Sequence, residues 1–282
     1  MTDVHTRPAS VRHGANVPAA VSGFVWLAIV MVPIYFIVIT SLRGQAGFFT
    51  ANPLAPPDHP TLDNYAEVLQ HDFVRYLANS VVVTVAAVAL TLALSLTAAN
   101  VIVRGSGWFV RMTFSVFLLG LAIPLHATII PLYYMITRLR LYDSLLGLVL
   151  PSVAFAIPVT VLILVNFLRD VPRELFESMR VDGASEWQIL VRLVLPLARP
   201  ALVTVAIYDG LNVWNGFLFP LILTQSEQQR VLPLSLWAFQ GEFTVVVPGV
   251  MAAVVLSTLP IVALYAVGRR YLVSGLTAGF GK

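Results

Sequence analysis

The chain has 282 residues, of which 58% are apolar and 11% are charged, and its formal net charge is +3. A soluble domain has about 25% charged residues, so this composition excludes an ordinary soluble protein and indicates a surface that largely faces lipid. Cysteine is absent, which excludes a disulfide scaffold, a thiolate metal site and a cysteine nucleophile. A phosphate-binding P-loop needs lysine followed by serine or threonine. Lys282 is the only lysine and no such pair occurs, so ATP hydrolysis by a P-loop of this chain is excluded as well.

Six apolar stretches follow one another along the chain, each about as long as the 20 residues that cross a bilayer as a helix. They cover residues 21–42, 77–103, 112–137, 144–168, 200–226 and 243–268. Each is apolar on all sides rather than along one stripe, which favours membrane spans over amphipathic surface helices. We predict an all-α integral membrane protein with six transmembrane helices within residues 21–270, a tail of residues 1–20 and a tail of residues 271–282.

The distribution of basic residues predicts the orientation of the chain in the membrane. If both termini lie in the cytoplasm, twelve basic residues fall on the cytoplasmic side and five fall outside. Loops that remain in the cytoplasm carry an excess of arginine and lysine. We therefore predict that both tails are cytoplasmic, that residues 43–76 and 225–242 are outer loops, and that residues 169–199 form one long cytoplasmic loop.

The cytoplasmic loop is predicted to form two short helices around a glycine turn. Pro172 suits the first turn of a helix, where its missing N–H would have no partner in any case. Asp182-Gly183 is a turn signal, because glycine adopts a positive φ without strain. Ser185 and Gln188 have the spacing of a capping box, in which each side chain accepts a hydrogen bond from the backbone of the other.

The second short helix of the loop is predicted to carry an apolar stripe and to stop at Pro196. The stripe comprises Trp187, Leu190, Val191 and Val194. An apolar stripe at helical spacing on a cytoplasmic loop needs a cover. That cover is either the membrane surface or a groove on a partner protein.

The loop resembles the EAA signature of permease subunits in bacterial ABC importers. Glu177-Ser178-Met179 is followed by Gly183 and then by Leu193-Val194-Leu195-Pro196, at the spacing of that signature. Ser178 and Met179 stand where two alanines are usual in the family. We expect these departures to alter the packing of the loop slightly and to leave its form intact.

Further segments are similar to the carbohydrate-uptake branch of that family, and in particular to the second permease of the maltose-type pair. They are Asn64-Tyr65, Asn79-Ser80, the run from Pro124 to Tyr133, the run from Trp214 to Leu221 and the tail from Arg270 to Gly279. Within the third segment, His126 stands where glutamine is usual. The resemblance extends over nearly all of the chain.

The resemblance implies a type I ABC importer transmembrane domain in a bacterial plasma membrane. The implied partners are a second homologous permease, a dimer of ABC ATPases, an extracytoplasmic solute-binding protein and a carbohydrate or polyol substrate, with membrane lipid around the helices and no nucleic acid. ATP and magnesium would bind to the ATPase subunits. This chain is therefore expected to hold no cofactor and to be a transport subunit rather than an enzyme.

The resemblance also implies roles for segments of the chain. The second helix of the loop, residues 184–193, is expected to dock into a cleft of the ATPase and to pivot about Gly183. The residues assigned to ATPase coupling are Glu177, Asp182, Gly183, Ala184, Ser185, Trp187, Leu190 and Pro196. Residues 274–282 are expected to reach towards the ATPase dimer, and the outer loop 225–242 to reach the sugar site of the binding protein.

Glu177 and Asp182 also have a structural interpretation. As carboxylates near helix ends, they could satisfy unpaired backbone N–H groups, or pair with Arg173 or Arg180. The structural role and the coupling role are compatible. A general acid or base is not indicated, because no histidine or second carboxylate clusters with them.

Polar residues inside the predicted spans are costly in lipid and point to function. Asp209, Asn212 and Asn215 of the fifth span, with Tyr208 beside them, supply the carboxylate, amides and aromatic face that bind a sugar. His126 of the third span is a further candidate for the translocation pathway. The alternatives are hydrogen bonds between helices and, for His126, a packed position. With five histidines and no cysteine, no metal site is indicated.

Two other classes of protein remain as alternatives. A proton-coupled secondary transporter with Asp209 as its relay would explain a carboxylate in the membrane, but it leaves the form of the cytoplasmic loop unexplained. Such transporters often contain internal repeats, which the sequence does not show. A membrane enzyme would need a cluster of nucleophile, metal or acid–base residues, and none is found in the sequence.

Overall fold

The computed structural model describes residues 17–236 and 245–278; for Leu264 and for residues 267–278 it describes the backbone only. The α-helices of this part of the chain are α1 Val17–Ser41, α2 Gln45–Thr50, α3 Asp63–Gln70, α4 Phe73–Arg104, α5 Trp108–Gly120, α6 Ile129–Arg138, α7 Leu145–Arg169, α8 Arg173–Val181, α9 Glu186–Ile189, α10 Leu195–Leu197, α11 Arg199–Trp214, α12 Leu218–Leu223, α13 Leu232–Ser235 and α14 Val247–Ala278. Turns of 3-10 helix lie at Leu125–Thr128 and Glu227–Gln229, and a π-helical turn lies at Leu190–Val194.

Three of the six predicted spans are single helices. α1, α4 and α7 are long and apolar enough to cross a membrane, and they cover the first, second and fourth predicted stretches. α7 continues through Pro151 and Pro158, which membrane helices tolerate because neighbouring groups satisfy the freed carbonyls. The sixth predicted stretch corresponds to α14, which begins at Val247. Residues 237–244, shortly before it, lie outside the described ranges.

The third predicted span is bent rather than straight. α5 and α6 meet at an angle of 95°, with a 3-10 turn between them. Pro124 explains the break, because proline lacks an N–H and disfavours the helical conformation in the residue before it. The end of α5 lies close to α7: a Cβ on Gly120 would lie 2.8 Å from the Cγ of Pro158. α6 therefore begins after a break at Pro124. The close packing of α5 on α7 fixes the position of that break.

The fifth predicted span is also broken. α11 ends at Trp214, and α12 begins at Leu218 after a turn in which the N–H of Gly216 donates to the carbonyl of Val213 at 3.1 Å. A Cβ at position 216 would meet that carbonyl at 3.0 Å, so glycine suits this tight turn. Pro220 lies in the first turn of α12, where its missing N–H needs no partner.

α4 and α7 form the centre of the molecule and pack on each other more extensively than any other pair of described helices. α11 packs on α4 and on α14, and α1 packs on α14. The core at the end that carries the loop 169–199 includes the fully buried Ala99, Val161 and Val205 of α4, α7 and α11. The surface of α1 exposes large apolar side chains such as Phe24 and Trp26. Such a surface suits a helix that faces lipid or another membrane subunit.

Candidate coupling loop and translocation cavity

The glycine turn of the loop 169–199 has the predicted geometry. Gly183 has a φ of +77°, a conformation that glycine adopts without strain. It ends α8 in a Schellman motif: the N–H of Gly183 donates to the carbonyl of Arg180 at 3.0 Å, and the N–H of Ala184 donates to the carbonyl of Met179 at 2.9 Å. The turn that was predicted at Asp182-Gly183 is therefore present, and it satisfies the last carbonyls of α8.

α9 begins with the predicted capping box. The Oγ of Ser185 accepts a hydrogen bond from the N–H of Gln188 at 3.3 Å, and the Oε1 of Gln188 accepts one from the N–H of Ser185 at 2.7 Å. Two backbone donors at the start of the helix are thus satisfied reciprocally. Together with the Schellman motif, the capping box fixes the turn between the two short helices by local interactions alone.

The apolar stripe predicted on the second helix divides between the core and the surface. Val194 and the neighbouring Ile189 are fully buried among residues of α4, α7 and α11. Leu190 is half-buried, whereas Trp187 is 69% exposed, and Val181 at the tip of the loop is 87% exposed. The predicted cover, the membrane surface or a partner protein, is therefore wrong for Val194, which helices of the chain itself cover. The C-terminal part of the stripe anchors the loop in the helix core, Val191 is 39% exposed, and Val181 and Trp187 at the tip are the most exposed large apolar side chains of the loop.

Pro196 does not end the helix, contrary to the prediction. The chain continues helically past it and bends by 75° at Ala198 into α11. A π-helical turn precedes the proline, and the N–H of Leu195 donates to the carbonyl of Leu190 across this wider turn. The wider turn makes room for the proline ring, which in a regular helix clashes with the carbonyl one turn before it. The loop and α11 are therefore joined directly.

The acidic residues of the loop differ in their contacts. Glu186 pairs with Arg104 at 2.6 Å and with Arg180 at 3.3 Å. Glu177 and Asp182 are exposed, and their carboxylates form no ion pair or hydrogen bond with residues 17–236 and 245–266, Leu264 excepted. Within these ranges, the structural role considered for the two carboxylates is therefore not observed, and Glu186 takes the neighbouring arginines instead.

A cavity of about 360 Å³ lies between α4, α7, α11 and α12, and the end of α5 and the turn after it complete its wall. Asp209 is the only carboxylate among the described residues that line it, and this lining contains no arginine, lysine or histidine. Asp209 is 2% exposed, and its Oδ2 accepts a hydrogen bond from the Oγ1 of Thr160 at 2.8 Å. Two carboxylate oxygens can accept more hydrogen bonds than this one. Asp209 can therefore also bind hydroxyl groups of a solute in the cavity.

Three of the five residues predicted for the pathway line the cavity, and two do not. Tyr208, Asp209 and Asn212 line the cavity, whereas Asn215 and His126 do not. His126 is exposed and lies in the 3-10 turn between α5 and α6. The side-chain N–H groups of Asn212 and Asn215 each donate at 2.8 Å to a carbonyl one turn earlier in α11. These two donors therefore stay within their own helix and do not bridge to another.

Several residues of the cavity wall were missed by the sequence analysis. Ser80 and Thr84 of α4 and Ser152 of α7 add hydroxyl groups, while Phe155 and Phe219 add aromatic rings with centroids 5.7 Å apart. The spacing of Ser80 and Thr84, one helical turn apart inside a span, was the available signal. Hydroxyls, one carboxylate and aromatic faces suit a polar solute that also has an apolar face.

The pairs Asn64-Tyr65 and Asn79-Ser80 tie loops 43–76 and 225–242, which were predicted to lie outside, to the long helices. The Nδ2 of Asn64 donates to the carbonyl of Ser41 at 2.8 Å, and the hydroxyl of Tyr65 lies 2.6 Å from the Oγ of Ser41. The Nδ2 of Asn79 donates to two carbonyls of the loop after α12, each at 2.8 Å. The Oγ of Ser80 accepts from the first N–H of α13 at 2.8 Å. The physical role of both pairs is thus to satisfy loop backbone groups.

Asp143 joins the loop before α7 to the end of α12. Its Oδ1 accepts hydrogen bonds from the N–H of Gln225 at 2.9 Å, the N–H of Ser226 at 3.0 Å and the hydroxyl of Ser226 at 3.1 Å. Its own N–H donates to the carbonyl of Leu223 at 2.8 Å. Desolvation raises the pKa of Asp143, but the three hydrogen bonds outweigh it and hold the pKa of this carboxyl below its usual value.

Broken apolar helices around a cavity with one carboxylate, and a locally folded loop joined directly to one of these helices, are features of a helical membrane transport subunit. The chain is 38% identical over 258 residues to a Caldicellulosiruptor protein named as an ABC transporter permease, which covers 92% of this chain and 94% of that protein. It is 31% identical over 257 residues to the diacetylchitobiose uptake system permease protein of Streptomyces coelicolor, covering 90% of this chain and 85% of that protein. Residues 89–277 match the family described as binding-protein-dependent transport system inner membrane components, and the chain belongs to this family.

A solved structure shows the same fold. The crystal structure of a bacterial ABC transporter that imports alginate contains a chain that aligns with a TM-score of 0.80 at 22% identity, covering 90% of this chain and 95% of that one. The predicted all-α fold of an ABC importer transmembrane domain is therefore confirmed. The protein is a permease subunit, and ATP hydrolysis belongs to separate subunits. This assignment favours the importer over the proton-coupled transporter that relied on Asp209.

Proposed function

We propose that the chain forms half of the membrane pathway of a bacterial importer for a carbohydrate or polyol. The observation that carries this proposal is the cavity, in which Asp209, Asn212 and serine and threonine hydroxyls lie among aromatic rings. Sugars have hydroxyl groups that need hydrogen-bond partners, and apolar ring faces that stack on aromatic side chains. The Streptomyces relative named for diacetylchitobiose uptake supports the same class of solute.

The proposed topology has six spans within residues 21–270. α1, α4 and α7 provide three spans, the bent pair of α5 and α6 and the broken pair of α11 and α12 provide two, and α14 provides the sixth. The excess of basic residues supports a cytoplasmic position for the loop 169–199 and for both tails. α1 begins at Val17 and α14 continues to Ala278, so parts of the predicted tails 1–20 and 271–282 are helical. Residues 1–16 and 279–282 lie outside the described ranges.

We place the contact with the ATPase at the tip of the loop. The tip presents Val181 and Trp187 as exposed apolar side chains, next to the unpaired carboxylates of Glu177 and Asp182. Aromatic anchors within a polar rim are typical of protein interfaces. The proposed partner is an ABC ATPase dimer that binds ATP and magnesium. The buried Ile189 at the base of the loop would transmit the movement of the ATPases to the spans.

The remaining residues assigned to coupling hold the tip in position. They are Gly183 and Ala184 in the Schellman motif, Ser185 in the capping box, and Leu190 and Pro196 in and after the π-helical turn. None of them needs to contact the ATPase to matter for coupling. Their proposed role is therefore to fix the angle between α8 and α9.

Two further partners complete the proposed importer. A second homologous permease supplies the other half of the pathway, as the resemblance to ABC importer permeases implies. A solute-binding protein delivers the solute from outside and is expected to meet the outer loop 225–242, of which residues 237–242 lie outside the described ranges. The expected approach of residues 274–282 to the ATPases likewise concerns residues that are only partly described.

The test is to purify the tagged chain from its native membrane in mild detergent, identify the subunits that co-purify and measure their ATPase activity. We expect a second permease and an ABC ATPase, with ATP hydrolysis stimulated by the binding protein and its sugar. Recovery of a homo-oligomer without an ATPase would contradict the proposal. Recovery of the complex with stimulation by an unrelated class of solute would retain the importer and overturn the carbohydrate.

A further inference from the structure

A second cavity, of about 760 Å³, lies where α8 faces the turn between α4 and α5 and the end of α7. Five arginines line this cavity: Arg104, Arg111, Arg169, Arg173 and Arg180. They come from four different helices, so their convergence is a product of the fold. Glu177 is the only carboxylate among the described residues of the lining. The five arginines of this arginine cavity have no role in the pathway or in the ATPase contact proposed above, whereas Glu177 belongs both to this lining and to that contact.

The carboxylates near the arginine cavity do not balance its charge. Glu186 contacts Arg104 and Arg180, and Glu177 forms no ion pair within the described ranges. Five guanidinium groups against these two carboxylates leave an excess of three positive charges. Like charges held together repel each other, and more strongly where water is partly excluded. A bound anion would remove this repulsion.

Arg104 is the arginine of this cavity whose buried N–H groups most clearly lack a hydrogen-bond acceptor. Its side chain is 9% exposed, and its Nε and Nη1 are buried without a hydrogen-bond acceptor among the described residues. The ring centroid of Phe176 lies 5.3 Å from the Cζ of Arg104. The ring centroid of Phe114 lies 5.3 Å from the Cζ of Arg169. These rings hold the guanidinium groups in place without accepting their hydrogen bonds. A buried guanidinium N–H without an acceptor is costly, so a ligand with several acceptor oxygens fits this wall.

We propose that the arginine cavity binds the phosphate group of an anion. Phosphate supplies negative charge and several oxygens, and each arginine can bind two of those oxygens at once. The turn 105–107 and the start of α5 lie on the same wall, and the N-terminus of a helix favours an anion. Basic pockets at the ends of membrane helices on the cytoplasmic side are suited to lipid headgroups. An anionic phospholipid and free phosphate offer the same chemistry to this site.

Occupancy of the arginine cavity would affect the coupling loop. Arg173 and Arg180 belong to α8, whereas Arg104, Arg111 and Arg169 belong to the ends of the spans. A phosphate bound by arginines of both sets links α8 to the ends of α4, α5 and α7. The position of the loop then depends on the ligand, whichever solute the permease carries.

The first experiment compares lipids. The full chain is placed in nanodiscs of phosphatidylcholine with increasing fractions of phosphatidylglycerol, and the lipids retained on release are counted by native mass spectrometry. We expect preferential retention of one phosphatidylglycerol. Arg111→Gln combined with Arg169→Gln should weaken this retention about 25-fold, because each arginine near an anionic headgroup contributes about fivefold. The matched control is Arg199→Gln, which removes an exposed arginine outside the cavity lining and should retain the lipid as wild type does.

The second experiment distinguishes the two sources of phosphate. In nanodiscs of phosphatidylcholine alone, inorganic phosphate is titrated against chloride at equal ionic strength and the Tm is followed. A rise in Tm with phosphate, without a preference for phosphatidylglycerol, identifies free phosphate as the ligand. No preference for phosphatidylglycerol and no rise in Tm would overturn the proposal. These wild-type comparisons hold even if the double glutamine variant does not fold, and Arg111→Lys with Arg169→Lys, which keeps the charge, gives a milder variant for the same assay.

Retention that is unchanged in a folded double glutamine variant would also overturn the assignment to this cavity. The result is independent of the importer proposal, because co-purification of the ATPase is measured separately. Loss of the ATPase with retention of the lipid would count against the coupling role alone.

Discussion

The coupling loop and the translocation cavity are built in opposite ways. The shape of the loop depends on near neighbours in the chain, since Gly183, Ser185 and Gln188 satisfy backbone groups within a few residues of themselves. The cavity is assembled from α4, α5, α7, α11 and α12, and beside it Thr160 of α7 donates a hydrogen bond to Asp209 of α11. The loop can therefore move as one unit, whereas the cavity changes shape whenever its helices move. Changes to the loop should disconnect ATP hydrolysis from transport, and changes to the cavity should alter transport while the coupling persists.

The largest effect is expected for Gly183→Pro in the loop. Proline holds φ near −65° and lacks an N–H, whereas Gly183 has a φ of +77° and donates to the carbonyl of Arg180. We expect uptake to fall to background, with ATP hydrolysis no longer stimulated by the binding protein. Both rates are measured on the same proteoliposomes. Gly183→Asn is the control, because asparagine tolerates a positive φ and should keep most of the uptake. Normal uptake by the proline variant would exclude a coupling role for this turn.

Trp187→Ala tests whether the tip of the loop binds the ATPase. Removal of an aromatic anchor from an interface costs about 2 kcal/mol or more, so the affinity for the ATPase should fall about 30-fold. The affinity is measured by titrating purified ATPase into the permease pair. Trp26→Ala on α1 is matched in residue type and exposure, 68% against 69%, and should leave the ATPase affinity unchanged. Equal effects of the two variants would remove Trp187 from the proposed contact.

Asp209→Asn tests the cavity. Thr160 can still donate to the amide oxygen, so the packing should hold, but the second carboxylate oxygen, which can accept a hydrogen bond from the solute, becomes an NH2 group that only donates. The difference predicts about tenfold slower uptake at low solute concentration, with stimulation of the ATPase by the binding protein retained. Asn215→Ala removes a polar side chain of α11 outside the cavity lining and should have little effect. Unchanged uptake by Asp209→Asn would leave this residue with a structural role only.

The smallest effect is expected for Asp143→Asn, which touches neither region. The hydrogen bonds to Asp143 lower its pKa in the folded state below the usual value of about 3.9. Its stabilising contribution is therefore complete above that pH and is lost as the pH falls through the lower pKa of the folded state. At pH 7 the variant should lose about 1 kcal/mol of unfolding free energy, and the difference from wild type should shrink in acid.

Thermal unfolding in detergent at several pH values measures this difference. Asp58→Asn, at an exposed aspartate of the outer loop 43–76, is the control and should behave as wild type throughout. A difference between Asp143→Asn and wild type that stays constant into acid would show that the charge of Asp143 contributes nothing.

The parts of the fold that depend on local chemistry were predictable from the sequence. The turn at Gly183 and the capping box at Ser185 involve residues a few positions apart, and length and hydrophobicity alone indicated α1, α4 and α7. The bend between α5 and α6 and the π-helical turn before Pro196 were not predictable. A proline signals that a helix is disturbed, but the direction of the chain afterwards depends on packing, such as that of Gly120 against Pro158.

The two candidate sites were likewise only partly predictable from the sequence. Asp209 was conspicuous because charges are rare in membrane spans, whereas Thr160 was not, because hydroxyl residues are common there. His126 was equally conspicuous but lies outside the cavity lining, in the turn at the 95° bend. The arginine cavity was not foreseen, because its members are separated in sequence and meet only when the ends of four helices come together.

If the loop couples to the ATPases as proposed, the direct junction at Ala198 lets the loop act on α11 as a lever. Ala198 is fully buried and would be the fulcrum, and the rise of 1.5 Å per residue places Asp209 roughly 16 Å along α11 from it. A tilt of α11 by about 10° displaces Asp209 by about 3 Å, which is the length of one hydrogen bond. A rotation of that size would be enough to separate Asp209 from Thr160. In this half of the pathway, ATP hydrolysis would then replace one hydrogen-bond partner of the Asp209 carboxylate by another.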